Sequence, residues 1–77
     1  MMGTFYHNVR MQELTPERCA KMNVEGWRMI DTYDERPDII QATVNTFTMN
    51  PDGSLYSATS TSPYIVIRFK RQAEIEG

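Results

Sequence analysis

The chain is poor in the residues that most small proteins use as staples or reaction centres. It has one cysteine, Cys19, so no disulfide can close within it. It has one histidine, His7, which leaves no Cys/His set for zinc. Its glycines, Gly3, Gly26, Gly53 and Gly77, stand apart, so no glycine-rich loop cradles a phosphate. The longest apolar run is Tyr64-Ile65-Val66-Ile67, too short to span a bilayer. The residues before Asn8 contain no basic stretch followed by an apolar one, so no signal peptide is expected. The net charge is −2, which gives no general attraction to nucleic acid or anionic membrane. A lone cysteine fits a reducing, cytoplasmic setting.

What remains is a 77-residue chain, enough for one small domain. An ordered core is expected over about residues 4–71, with a polar tail over 72–77. A domain this small buries only about 60% of its unfolded surface. Homodimerisation would add burial that no disulfide or metal supplies.

Residues 5–12 alternate in polarity with period two, which predicts a half-buried strand. Thr15-Pro16-Glu17 follows: a capping threonine, a proline suited to the first helical position and an acid for the positive dipole end. The helix should run from Pro16 to about Met22, with Cys19 and Met22 on its apolar face. Asn23 is expected to close it in the left-handed conformation. Gly26 turns the chain, and Trp27 opens a strand over residues 27–33. A third strand is expected over 39–49, with a bulge or bend near Asn45-Thr46. Asn50-Pro51-Asp52-Gly53 is the strongest turn motif, returning the chain into a strand over 55–59. Ile65-Val66-Ile67 has no polar alternate, which predicts a central last strand over 64–70. The fold expected is α+β: an antiparallel sheet of four to five strands with one short helix packed on one face. Phe5, Val9, Met22, Trp27, Met29, Ile65, Ile67 and Phe69 are the expected core.

Phe5-Tyr6-His7-Asn8-Val9, a short helix, Glu25-Gly26-Trp27 before Met29-Ile30, and a closing Tyr64-Ile65-Val66-Ile67-Arg68-Phe69-Lys70-Arg71 form a recognisable series. It resembles the small bacterial and phage family of domain of unknown function 4177. Two features depart from that pattern: Asn23 stands where a glycine is common, and residues 34–63 are longer than usual. The resemblance implies a β-rich fold with one helix and a phage or mobile-element origin. It transfers no activity.

Candidate sites are few. Cys19 and His7 could be imagined as thiolate and base, but Cys19 sits on the apolar helix face without an activator, so no catalytic residue is assigned. Asp31, Asp34, Glu35 and Asp38 offer oxygen ligands without the spacing of a calcium loop, so no metal is assigned. Arg10, Arg28 and Arg68 lie on strands with Tyr33, Tyr56 and Tyr64 nearby as anchors. These six are the candidate ligand or partner-binding residues. The leading expectation is a non-catalytic cytoplasmic interaction module with a protein partner and no cofactor. Its contact surface would be the free sheet face and the 39–59 hairpin. The alternatives are a protein sequestering a nucleotide-like anion at a dimer groove through Arg10, Arg28 and Arg68, and a small enzyme.

Overall fold

A computed structural model describes residues 1–40 and 42–76. Expectations that touch Gln41 or Gly77 lie outside the described residues. The elements are β1 (Met2–Arg10), a 3-10 turn (Met11–Glu13), α1 (Pro16–Val24), β2 (Arg28–Asp34), β3 (Asn45–Met49), β4 (Leu55–Ser60) and β5 (Ile65–Glu74). The α+β class holds, with five antiparallel strands and one α-helix among the described residues. The strands divide into a three-stranded sheet in the order β1-β5-β2 and a β3-β4 hairpin.

The central place of β5 follows from its composition. Ile65, Val66 and Ile67 are all buried, as a strand covered on both faces requires. β5 continues to Glu74, past the Lys70 end expected from sequence, because Arg71 to Glu74 pair with Phe5 to Met2. In β2 the register slips between Met29 and Asp31, so Ile30 bulges and the strand bends.

Thr15 caps α1 as its residue type predicts, its hydroxyl accepting from the Arg18 N–H at 3.2 Å. The helix end differs from expectation. Asn23 is helical, and no residue other than glycine has positive φ among those described. Gly26, at φ 94°, makes the left-handed step instead. Its N–H reaches the Asn23 carbonyl at 3.1 Å, and the Trp27 N–H reaches the Met22 carbonyl at 3.0 Å. That pair of bonds is a Schellman closure.

The hairpin turn forms as read. Gly53 has φ 89°, and its N–H bonds the Asn50 carbonyl at 3.0 Å. The third strand is shorter than 39–49, and the bulge lies between Thr48 and Met49 rather than at Asn45-Thr46. The extra residue is Tyr56 on β4, since Thr48 faces Ser57 and Met49 faces Leu55.

The core lies between the three-stranded sheet, α1 and β4. Val9, Met11, Leu14, Cys19, Met22, Leu55, Ala58, Ile65, Ile67 and Phe69 form it. Trp27 and Met29 pack on it half-buried. Phe5, expected in it, is 43% exposed, because its stretch of β1 faces only β5 and extends beyond the helix-covered region.

Candidate functional site

The register of β1, β5 and β2 sorts the side chains into two faces. Val9, Ile67 and Phe69 face the core. The opposite face carries Tyr6, Asn8 and Arg10 from β1, and Val66, Arg68 and Lys70 from β5. From β2, the Ile30 bulge joins this face, as do Asp31 and Tyr33. Tyr6, Asn8, Ile30, Arg68 and Lys70 line a shallow cleft there of about 420 Å³.

Arg68 organises this outer face. Its guanidinium donates through two nitrogens to both carboxylate oxygens of Asp31 and lies 5.7 Å from the Tyr33 ring centre. The Asp31 carboxyl is held below its ordinary range, chiefly by the Arg68 hydrogen bond. Tyr6 is 71% exposed, whereas Val66 is 3% exposed although it lies outside the main core. The face therefore has a buried aliphatic floor and exposed aromatic and aliphatic side chains. The charge of Arg68 is already answered.

The six sequence candidates do not converge. Arg68 and Tyr33 share the outer face. Arg10 reaches Glu35 at 3.0 Å at the end of β1. Tyr64 stands beneath Arg36, 5.8 Å from its guanidinium. Arg28 turns toward the hairpin, donating to the Trp27 carbonyl at 2.8 Å and pairing with Asp52 at 3.6 Å. Tyr56 lies with Pro16, Ala20 and Asn23 on the helix–hairpin side. The three arginines expected to share an anion groove are thus held by three different carboxylates.

Cys19 and His7 do not meet. Cys19 is 2% exposed in the core, and burial pushes its thiol pKa up. His7 is exposed and lies against Trp27, ring centres 5.5 Å apart. Among the described residues, no three His, Cys, Asp or Glu side chains converge as metal ligands. Asp31, Glu35 and Asp38 are instead paired with Arg68, Arg10 and Arg36.

A second groove was not legible from sequence. His7, Glu17, Arg18, Lys21, Met22, Glu25 and Trp27 line about 500 Å³ between α1 and β1. Trp27 is fixed there by two neighbours. Its indole N–H donates to Glu25 at 3.2 Å, and the Arg71 guanidinium lies 4.8 Å from its ring centre. The i, i+4, i+8 spacing of Glu17, Lys21 and Glu25 was available as a sign that they share a helix face. Acid and base alternate along that face.

No helix among the described residues is long and apolar enough to cross a membrane. Comparison with family models, curated proteins and solved structures finds no match to this chain.

Proposed function

We propose that this chain is a non-catalytic interaction module that binds a protein partner through the outer face of its three-stranded sheet. One observation carries the reading: Tyr6, Ile30 and Tyr33 are exposed around an Arg68 whose charge Asp31 already answers. Tyrosine and arginine around an apolar centre are the residues that dominate protein–protein contacts. A rigid sheet presents them at little ordering cost. An anion at this face would compete with Asp31 for the same two-pronged donor, which favours a protein surface over a nucleotide-like ligand. The buried thiol and the lack of any need for a disulfide suit a reducing compartment such as the cytoplasm.

The test is capture from the source cells with the wild-type chain and with a Tyr6→Ala/Ile30→Asp double variant as baits. Both substitutions lie on exposed positions, so the fold should persist. A protein held by the first and released by the second supports the reading. Equal capture by both, or a small molecule retained in native mass spectrometry and lost on Arg68→Ala, rejects it.

A further inference from the structure

The two outer edges of the three-stranded sheet are treated differently. The β2 edge is interrupted by the Ile30 bulge and covered in part, where the Met29 N–H donates to the Gly53 carbonyl at 2.9 Å. The β1 edge is nine residues long and runs without a register shift. The Ile75 N–H donates to the Met1 carbonyl at 2.7 Å, which sets the hydrogen-bonding phase of the ladder. In an antiparallel pair the bonded positions alternate. Gly3, Phe5, His7 and Val9 therefore exchange bonds with β5. The N–H and C=O groups of Met2, Thr4, Tyr6 and Asn8 point away from it, with no partner among the described residues.

Natural edges of this length carry lysine, proline, an inward charge or a bulge. From Met2 to Val9 this strand has none of them, and Met2, Phe5 and Tyr6 are exposed along it. We infer that the β1 edge is the seam of a homodimer, paired antiparallel with β1 of a second copy about a two-fold axis at Tyr6. This register sets Tyr6 on Tyr6 of the second copy, Thr4 on its Asn8 and Met2 on its Arg10. Every outward main-chain group between Met2 and Asn8 then has a partner. The charges permit it: Arg10 lies opposite Met2 of the second copy and keeps its own partner, Glu35. No like charges are brought opposite each other. The product is a continuous sheet in the order β2-β5-β1-β1-β5-β2.

The size of the seam sets its strength. Nine residues give about 30 Å of strand, and a sheet is about 10 Å thick, so each copy loses roughly 300 Å². That falls in the weak, reversible class of interface. Buried area does not fix an affinity, but a seam this small is expected to come apart on dilution. The inference rests on the free edge and not on what the outer face binds.

Sedimentation velocity over roughly 1–500 µM tests it. The mass should rise from 9.0 kDa toward twice that value with concentration. Thr4→Lys/Asn8→Lys, which sets like charges opposite each other across the seam, should hold the chain monomeric. Thr4→Lys/Asn8→Glu should restore the dimer. Both variants should keep the wild-type circular dichroism, since both positions are exposed. A wild-type chain monomeric throughout, or two variants that sediment alike, overturns the inference. Thr4→Pro removes an outward N–H of the edge and none of the cleft residues, so it should be monomeric yet still capture the outer-face partner, which separates this seam from the proposed function.

Discussion

The Asn23 side-chain amide donates to the Leu55 carbonyl at 2.9 Å, joining the last turns of α1 to the first residue of β4. At the far end of the same strand, Gln12 donates to the Ser60 carbonyl at 3.3 Å. The two-stranded hairpin is thus held at both ends of β4 by side-chain amides from the segment between β1 and β2. A hairpin of two strands is marginal alone, so these clasps and the burial of Leu55 and Ala58 fix it to the rest of the fold.

Asn23→Ala removes the donor and leaves the half-buried Leu55 carbonyl without it. The expected loss is about 1–2 kcal/mol in urea unfolding. Asn23→Asp should cost more, because a carboxylate would then face a carbonyl oxygen. A variant as stable as wild type would show the clasp to be idle.

Gly26→Ala tests the helix closure. Nothing lies within 4 Å of a Cβ built there, so the cost comes from φ 94° alone. About 1 kcal/mol is expected, lowering the melting temperature by about 4–8 °C.

Ile67→Ala should be far more damaging. Ile67 is fully buried near the start of β5, the middle strand of its sheet, and a loss of about 2–5 kcal/mol is expected. In a domain this small, that is enough to unfold much of the population at room temperature, which circular dichroism would report.

Stability should fall on the acid side. Hydrogen bonds from Arg68, Arg36 and Ser54 hold Asp31, Asp38 and Asp52 below the ordinary carboxylate range. Their contribution is present above the unfolded value, about pH 3.9, and is lost as pH drops through the lower folded values. Asp31→Asn should make the denaturation midpoint less sensitive to acid over that window. An unchanged acid limb would show that the Arg68 pair contributes nothing.

Cys19 should behave in the opposite sense. Its thiol pKa is raised by burial, so its contribution is present below about pH 8.5 and declines as pH rises toward the folded value. At neutral pH, a thiol reagent should modify it on the order of a hundredfold more slowly in the folded chain than in urea. A fast reaction in the native protein would place the thiol outside the core.

Local chemistry was legible wherever one residue type dictates one geometry. Thr15-Pro16 started the helix, Pro51 and Gly53 framed the turn, and the unbroken apolar triplet of β5 marked the centre of the sheet. Long-range relations were not legible. Asn23 looked like a left-handed cap because asparagine tolerates that conformation, yet its amide is used 32 residues away, and Gly26 takes the cap. The division into two sheets depends on which strand edges meet, which polarity patterns do not encode. Arg10, Arg28 and Arg68 shared a residue type and strand locations. Their separation was decided by Glu35, Asp52 and Asp31, which sequence spacing alone did not assign to them.

The pairing of β1 with β5 sets the first strand of the fold against the last, Met2 beside Glu74. On a ribosome adding about 5–20 residues per second, β1 emerges several seconds before its partner exists. During that interval neither of its edges can be satisfied by its own sheet. The three-stranded sheet therefore cannot close until β5 has been made and released from the exit tunnel. Pairing so distant in sequence also slows the search for the native register. A strand edge from Met2 to Val9 that carries no lysine, arginine or carboxylate is thus offered to holding chaperones, or to neighbouring chains on a polysome, until β5 emerges.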